Sequence, residues 1–478
     1  MLSISDIERI DGAAKALLED PGVRVEDEEI VKKLLACGAQ RGLGAQVVRF
    51  PGAMVKEYLS LVPERFSIMD RKGTRREVSP EGDSGFWTAA ALFYLDRKGF
   101  RPIERKDLAD FAWVIENLPE VECIVGTATE DTPPPHRDFV GFRIMAENTK
   151  KHLRPLSFTP RGGEAMIEMA RVLAGGKTLR ENPIFSVGFT AHGPLRWTNL
   201  ALGVFKATAG HGIPCTVNGE PMAGATSPVT LAGTAVVGTA EILSGIIINQ
   251  VLEPGRPCFF NLGFAHVMDM RFGFAVTGSP ENCLFATAGA ELARFYRIPS
   301  ASWICSDSLG YDAQNAMEKT LAALTHAHAR VSVVWGVGSF ESEKTVSPVQ
   351  AVIDDEIVRM VRKYLAGIRV SEETLALEEI RRVGIAGEFM SSPHTFQHFR
   401  GSIFEPRLAI RLQRSLAGER SNLTARAEDR VEALLAAPRP PTMDEAMRKE
   451  LLRIEERYSR PRIRRLRRFR RFRRFSRS

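Results

Sequence analysis

The chain has 478 residues, an apolar content of 44% and a formal net charge of +7. Its six cysteines include no CxxC pair, which argues against a disulfide framework or a zinc ribbon and favours a reducing cytoplasm. The positive charge lies at one end, because residues 459–478 hold eleven arginines and no acid, and subtracting these from +7 leaves −4 for the rest. Composition therefore predicts a mildly acidic globular body with a basic tail.

Residues 1–118 are predicted to form an N-terminal helical and α+β region. Acidic residues in the first turns argue against a signal peptide. Apolar residues at helical spacing predict a helical hairpin from Ile4 to Leu18 and from Glu28 to Cys37. Shorter runs predict strands at 47–50 and 66–69, and a hairpin that pairs 92–95 with 101–103.

From residue 119 the chain alternates eight times between apolar, strand-like runs and helical stretches. The strand-like runs are 121–125, 153–158, 184–189, 213–217, 257–262, 300–304, 331–336 and 385–390. Eight alternations are typical of a (β/α)₈ barrel, which has about 250 residues. The sequence therefore predicts an α/β fold with a TIM barrel over 119–400, and a doubly wound sheet is the alternative.

The longest apolar run, Val229 to Leu252, approaches the length of a membrane span. It contains Glu241 and Asn249, and a charged residue near the centre of a bilayer costs about 2.5–3.5 kcal/mol. We therefore expect no membrane span but a helix buried on several faces. A subunit contact in a homo-oligomer is one way to bury it.

The C-terminal part divides into polar helices over 401–456 and an arginine-rich tail over 457–478 that is expected to be disordered. Phe469, Phe472 and Phe475 recur among the arginines of this tail. Such a pattern leaves nucleic-acid or membrane association open for the tail, with a solvated appendage as the alternative. Nucleic-acid binding is not expected of the body.

Seven short sequence blocks follow one another along the chain. One is the small-residue run PMAGATSPVTLAG at 221–233, which follows a strand-like run and opens a helix, so that its backbone can approach a ligand closely. The others are VRVED at 23–27, VMDMR at 267–271, GSPE at 278–281, SDS at 306–308 with DAQ at 312–314, IDDEI at 353–357 and PHTFQHFR at 393–400. In wording and order these blocks resemble the trimethylamine methyltransferase (MttB) family up to about residue 445.

The resemblance implies a methyltransferase that moves a methyl group from a methylated amine to the Co(I) of a partner corrinoid protein, with no cofactor bound directly. Archaeal trimethylamine enzymes of the family carry pyrrolysine before the block at 353–357, where this chain has ordinary residues, TVSPVQ at 345–350. A quaternary amine, glycine betaine or a related betaine, is therefore favoured over trimethylamine, which stays the alternative. A quaternary ammonium leaves as a neutral amine, so no catalytic acid or base is expected, only positional catalysis. A barrel that binds betaine without turnover is the rival from another class.

Aromatic residues near the predicted strand exits are candidates to surround the substrate cation. Trp303 and Trp335 lie on neighbouring predicted strands, and Phe340 or Phe264 follows nearby. A desolvated cation–π contact contributes roughly 2 kcal/mol, which is why aromatic cages bind quaternary ammonium groups. Packing inside the barrel is the alternative role for each tryptophan.

Polar residues near the same exits are candidates for the rest of the substrate. Glu220 or Asp307 is expected to supply a charge opposite to the ammonium, with helix capping as the alternative for Asp307. Asn218, Asn261 and His394 are candidates to orient a substrate carboxylate. The spacing of the histidines, cysteines and acids matches no metal-binding motif, so no metal site is predicted.

Overall fold

The computed structural model describes residues 2–411 and 422–460, and a ring of eight short strands lies at its centre. The strands are β1 (Gly85–Thr88), β2 (Val121–Val125), β3 (His152–Arg154), β4 (Val187–Thr190), β5 (Cys215–Asn218), β6 (Cys258–Asn261), β7 (Ala301–Trp303) and β8 (Val333–Val337). Consecutive strands pair in parallel, and β8 pairs with β1. Single parallel bridges, Leu153–Phe185 and Phe260–Ser300, join β3 to β4 and β6 to β7. The ring is closed, so the predicted (β/α)₈ barrel is confirmed and the doubly wound sheet is excluded.

One long helix follows each strand on the outside of the barrel. These are α1 (Arg105–Glu116), α2 (Arg137–Asn148), α3 (Pro160–Leu173), α4 (Asn199–Thr208), α5 (Leu231–Leu252), α6 (Pro280–Phe295), α7 (Ala313–His328) and α8 (Pro348–Leu365). A single 3₁₀ turn, Pro134–His136, precedes α2. This order places every strand-to-helix loop at one end of the barrel, which we call the mouth.

The barrel begins earlier in the chain than the predicted 119–400. Its first strand, β1, lies in the region that the sequence assigns to the N-terminal extension, and the predicted eighth strand at 385–390 is wrong. Ile385 and Met390 are 103% and 89% exposed, and no strand forms there. A hairpin of Phe93–Asp96 with Gly99–Pro102 separates β1 from α1 and hides the first strand–helix alternation in the sequence. That hairpin itself confirms the predicted pairing of these two segments.

The N-terminal region contains the two predicted helices and covers one side of the barrel. Its helices are Ile4–Glu19, Glu28–Ala36 and Gly52–Ser60, and its strands are Val23–Val25, Gln40–Arg41, Val47–Arg49, Phe66–Met69 and Arg75–Val78. Ser3 and Asp6 form a capping box at the start of the first helix, which packs against α5. Helix α5 is long and apolar enough to cross a membrane by length and composition, but 72% of its most apolar window is buried inside the protein.

Five further helices follow α8 within the described residues. They are Glu372–Leu375, Leu377–Val383, Pro393–Ser402, Leu423–Ala436 and Glu445–Ser459. The last two pack on barrel helices, and the Tyr458 hydroxyl donates a hydrogen bond to Glu168 of α3 over 2.6 Å. The first residues of the predicted tail thus belong to a packed helix. Residues 461–478 lie outside the described residues, so the disorder of the tail stays a prediction.

The loops at the mouth contain additional short strands. These are Arg196–Trp197, Met222–Ala223, His266–Asp269, Phe274–Val276, Ser339–Phe340 and Thr345–Val346. The last two form a hairpin directly after β8. This hairpin brings the turn 341–344 over the mouth of the barrel.

Candidate active site

A cavity of about 250 Å³ lies at the mouth of the barrel. Thr88, Val125, Arg154, Thr190 and Asn218, each the last residue of its strand, line this cavity, together with Trp335 of β8. Loop and helix residues close its sides. The cavity therefore occupies the position at which enzymes of this fold place their active sites.

Arg154 presents an unpaired positive charge to the cavity. Among the described residues its guanidinium forms no ion pair, and its one hydrogen bond is long, 3.5 Å from Nη2 to Thr216 Oγ1. The guanidinium lies over the ring of Trp335, with Cζ 4.6 Å from the ring centroid. Gly188 on β4 makes room for it, because a Cβ there would overlap the guanidinium. Burial lowers the pKa of Arg154 to about 10, so the group stays charged near neutrality.

Two more hydrogen-bond donors in the cavity wall have no partner among the described residues. They are Ser157 Oγ and Trp335 Nε1, and Arg154 Nε is likewise unpaired. Buried polar groups are nearly always hydrogen-bonded, so a cluster of unpaired donors indicates a place for an acceptor. A carboxylate, which only accepts hydrogen bonds when ionised, fits this cluster.

Glu343 reaches the same cavity from the turn that follows β8. Glu341, Ser342 and Glu343 all adopt left-handed backbone conformations, with φ of 54°, 51° and 67°. Such conformations cost about 1–3 kcal/mol each and persist only where the surroundings impose them. The loop after β7 holds the turn: Ser308 and Ser306 carbonyls accept from the Glu341 and Ser342 amides at 3.0 Å, and Cys305 Sγ accepts from Glu343 N at 3.0 Å.

The Glu343 carboxylate forms no hydrogen bond or ion pair within the described part of the chain. Burial raises its pKa well above the usual range, nearby Glu220 raises it further, and Arg154 lowers it. Burial alone raises the pKa of Glu220 to about 7, and the pKa of Glu241, which accepts the Glu220 and Leu195 amides, is also raised to about 7. The mouth thus holds carboxylates that are close to one another and largely without cations of their own. A bound cation would favour their ionised forms.

The predicted aromatic residues form the floor of the cavity only in part. Phe264 and Trp335 line it and meet edge to face at 5.2 Å. Trp303 is packed inside the barrel, stacked on Phe264 at 4.7 Å, and Phe340 is buried against Tyr311. Trp303 and Phe340 do not line the cavity, because Phe264 covers the first and the second packs in the loop layer against Tyr311. The ring of Trp335 already packs against the Arg154 guanidinium.

Of the predicted polar residues, some line the cavity and others do not. Asn218 lines the cavity, donates to Thr190 Oγ1 at 3.0 Å and accepts from Asn261 at 2.9 Å, so Asn261 supports Asn218 from behind. Asp307 accepts hydrogen bonds from Thr277 N, Gly278 N and Ser342 Oγ, which makes it a brace between loops and not a helix cap or a cavity residue. Its contact with Ser342 helps to fix the Glu343 turn.

His394 does not lie at the mouth, which corrects its prediction as a strand-exit residue. It lies on the helix Pro393–Ser402, where its ring contacts the Glu373 carbonyl at 3.2 Å and lies 4.3 Å from the His398 ring, between centroids. The prediction failed because it followed from the eighth strand that does not form. The small-residue loop 221–233 is also absent from the cavity lining. Among the residues that the structure describes, no three His, Cys, Asp or Glu side chains are arranged to hold a metal ion.

Arg154 and Glu343 are site residues that the sequence does not single out. The third strand is predicted to run to Phe158, but β3 ends at Arg154, so the predicted exit lies too late in the chain. After the eighth strand a short hairpin places Glu343 at the cavity. An isolated arginine at the end of an apolar run is the available signal for the first, and nothing in the sequence distinguishes Glu343 from its neighbours.

Comparison with known proteins agrees with these observations. The family model of trimethylamine methyltransferase (MTTB) matches residues 1–459. The chain belongs to the MttB family. It is a methyltransferase by this membership, and residues 460–478 of the basic tail lie outside the matched part.

The curated relatives are named for two different substrates, trimethylamine and glycine betaine. The trimethylamine methyltransferase MttB of Desulfitobacterium hafniense is 30% identical over 92% of this chain and 90% of its own length. That of Methanosarcina barkeri is 32% identical over 83% and 82%. A glycine betaine methyltransferase of D. hafniense is 28% identical over 93% and 94%. The solved M. barkeri monomethylamine methyltransferase (MtmB) aligns with a TM-score of 0.48 at 15% identity, over 83% of this chain and 92% of that one.

Proposed function

We propose that this methyltransferase takes its methyl group from a zwitterionic quaternary amine, glycine betaine or a related betaine, and transfers it to the Co(I) of a partner corrinoid protein in the cytoplasm. The observation that carries the proposal is that one small cavity is lined by both the Arg154 guanidinium and the Glu343 carboxyl group, neither of which forms an ion pair within the described residues, while Glu220 lies near Glu343 outside the lining. A betaine carries both complementary charges a few bonds apart. Trimethylamine offers nothing to Arg154.

The carboxylate end of a betaine would accept from the donors that lack protein partners. Arg154, Ser157 and Trp335 all line the cavity and each carries a donor without a partner among the described residues, and Asn218, also in the lining, is fixed by its bonds to Thr190 and Asn261. Hydrogen bonds to charged groups contribute about 1.5–3 kcal/mol. This set therefore favours a ligand with a carboxylate over an otherwise equal ligand without one.

The trimethylammonium end would lie against Phe264 and near Glu343. Phe264 lines the cavity, and a quaternary ammonium gains from an aromatic face without offering an N–H donor. Burial raises the pKa of Glu343, and a bound ammonium would favour its ionised form, which then attracts the cation where charges are poorly screened. The strained turn places this carboxylate in advance, so that no loop ordering has to accompany binding.

The reaction needs little from the protein beyond this placement. The methyl carbon leaves nitrogen, whose bonding electrons stay behind as the lone pair of a neutral tertiary amine, and the two electrons of Co(I) form the new bond. No proton moves. The residues at the mouth hold the ammonium, orient one methyl group outward and exclude water, which is catalysis by proximity and orientation.

The test is an assay of methyl transfer from a panel of amines to chemically reduced cobalamin. The loss of the Co(I) absorbance measures the transfer. Glycine betaine or a close homologue should be demethylated, while choline, which keeps the ammonium and lacks the carboxylate, should be much poorer. Trimethylamine turnover without any betaine turnover would overturn the proposal. Saturable betaine binding with no transfer to either free or protein-bound corrinoid would favour the non-catalytic barrel.

A further inference from the structure

Asp307 joins three loops at the mouth of the barrel. Its carboxylate accepts from Thr277 N at 2.9 Å, from Thr277 Oγ1 at 3.0 Å and from Gly278 N at 2.8 Å, all in the loop that leads into α6. It also accepts from Ser342 Oγ at 2.7 Å, in the turn after β8. The sequence blocks at 278–281 and 306–308 are therefore connected to the turn that carries Glu343, although neither block lines the cavity.

The Asp307 carboxylate acts here as an acceptor of hydrogen bonds. Within the described residues its donors are two backbone amides and two hydroxyl groups, none of them cationic. An ionised carboxylate only accepts hydrogen bonds, whereas an asparagine amide of the same shape replaces one acceptor by a donor. Asparagine therefore cannot accept from all four groups. The carboxylate of Asp307 fixes the positions of the loops relative to one another.

The loop that carries Asp307 is itself held by α7. Glu318 of that helix accepts from Asp307 N at 2.8 Å and from Ser306 Oγ at 2.7 Å. Gly278 packs against the same Glu318 carboxylate, where an added Cβ would lie 2.5 Å from Oε2. The position that Asp307 imposes on the turn after β8 is thus fixed relative to a helix of the barrel.

Glu343 depends on such support more than other residues of the cavity wall. Arg154 and Asn218 end strands, where ladder hydrogen bonds fix the backbone, but Glu343 lies in a turn. Residues 341–343 all have positive φ, and non-glycine residues keep that conformation only where their surroundings impose it. Ser342 is the residue through which the Asp307 side chain holds this turn. Without that hydrogen bond we expect the turn to relax and the Glu343 carboxyl group to leave its place in the cavity.

We propose that Asp307 is a positioning residue for Glu343, and that it thereby gives the cavity its preference for a cationic substrate over an uncharged one of the same shape. The inference rests on the proposed function, in which Glu343 lies at the ammonium end of the substrate. Asp307 does not line the cavity, so its effect reaches the substrate through Glu343. Substitution of Asp307 should therefore change the same property of binding as substitution of Glu343.

Glycine betaine and 3,3-dimethylbutanoate measure this preference. The second compound is the carbon isostere of the first: it keeps the three methyl groups and the carboxylate and lacks the positive charge. The preference is the dissociation constant of the isostere divided by that of betaine, measured by calorimetry at about pH 8, where a bound ammonium favours ionised Glu343. Because both compounds share the carboxylate end, this ratio isolates the ammonium end.

Glu343→Gln should lower the ratio about tenfold, because it removes the opposite charge next to the ammonium. Asp307→Asn should lower it roughly threefold to tenfold, because the Glu343 charge remains but is displaced. Ser342→Ala should change the ratio in the same direction, since it removes the hydroxyl group that Asp307 holds and leaves the bonds to Thr277 and Gly278 in place.

The double variant distinguishes positioning of Glu343 from a general structural role. In the Glu343→Gln background, the further change Asp307→Asn should leave the ratio unchanged, since no charge remains to be positioned. If Asp307→Asn lowered the ratio by the same factor in both backgrounds, its effect would not pass through Glu343 and the inference would be wrong.

A matched control is Asp138→Asn. Asp138 of α2 accepts from Phe158 N at 3.2 Å, from Thr159 N at 3.0 Å and from Thr159 Oγ1 at 3.0 Å, so it braces the loop after β3 with the same kinds of group. This variant should lower the melting temperature, as Asp307→Asn does, and should keep the ratio of the unchanged protein. An equal fall of the ratio in both variants would show that it reports only a loosened mouth.

The inference and the proposed function fail in different ways. If the unchanged protein bound glycine betaine no more tightly than the isostere, the ammonium site of the proposed function and this inference would both be wrong. If the unchanged protein preferred betaine and either Asp307→Asn or Ser342→Ala kept the full preference, only the inference would be overturned. Ser342→Ala decides the question should Asp307→Asn fail to fold, which circular dichroism would show.

Discussion

Two sets of charged side chains in this barrel differ in one respect. Lys319 of α7 and Asp354 of α8 are 0% and 1% exposed and form an ion pair at 3.1 Å. Lys319 also donates to the Gly336 carbonyl at 2.6 Å, while Asp354 accepts from Gly338 N at 2.7 Å and from Gln350. At the mouth, Arg154 and Glu343 have no such partners within the described residues. Charges that the protein satisfies itself hold the fold, and charges left unsatisfied mark where a ligand belongs.

The largest effect should come from breaking the satisfied pair. Lys319→Met leaves Asp354 buried without its cation, and removal of one partner of a buried ion pair costs about 3–5 kcal/mol of unfolding free energy. Urea unfolding monitored by circular dichroism measures this loss. The double variant Lys319→Met/Asp354→Leu should recover a large part of it, and a single variant as stable as the unchanged protein would remove the distinction between the two sets.

Arg154→Met should have the opposite effect: betaine binding should weaken, and the stability of the fold should not fall. The substitution removes an unpaired buried charge, so the melting temperature should stay or rise. Loss of a charge-assisted hydrogen bond of about 3 kcal/mol corresponds to roughly 100-fold weaker glycine betaine binding. Calorimetry with betaine and choline checks both claims. Equal weakening for choline would show that Arg154 does not read the carboxylate.

Trp335→Ala should raise the half-saturating betaine concentration roughly tenfold, from about 1.4 kcal/mol of lost contact. The ring supports Arg154, and its N–H donor has no partner among the described residues. Trp335→Phe, which keeps a ring under the guanidinium, should cost less. Trp303→Ala, beneath Phe264, should lower the melting temperature more than it affects half-saturation. If Trp303→Ala raised the half-saturating betaine concentration more than Trp335→Ala, the cation site would lie at Trp303 instead.

The affinity for betaine should change by a few fold with pH. Burial raises the pKa of Glu220 to about 7, so this carboxylate is mostly protonated below that pH and attracts the ammonium less. Betaine affinity should therefore rise between pH 6 and 8, and the rise should be smaller in Glu220→Gln. A raised carboxyl pKa also means that the stability contribution of the neutral form is lost as pH rises through about 7. As pH rises from 6 to 8, the melting temperature of the unchanged protein should therefore fall relative to that of Glu220→Gln.

The smallest effect is expected from removing residues 461–478. Within residues 422–460, the last packed contacts involve Arg457, Tyr458 and Arg460, which such a truncation keeps. The melting temperature should change by no more than about one degree, since so few aliphatic side chains are lost. A drop of several degrees would show that the tail docks on the body.

Local patterns in the sequence are enough for the fold class and the family. Apolar runs of strand length alternating with helical periods identify seven of the eight barrel strands, because a strand buried on both faces must be apolar throughout. The N-terminal helices and the hairpin after β1 follow from equally local signals. The ordered sequence blocks indicate the MttB family without any knowledge of which residues meet in space.

The site depends on the tertiary structure. Ring closure decides that Gly85–Thr88 is β1 and that 385–390 is an exposed segment after α8, since only strand pairing across about 250 residues distinguishes a barrel strand from another apolar run. The end of β3 at Arg154 and the left-handed turn at Glu343 bring together two charges that are 189 positions apart in the chain. The sequence by itself determined which residues are apolar or charged. Only the folded chain decided which of the charges would lack a partner, because that depends on every group that packs around them.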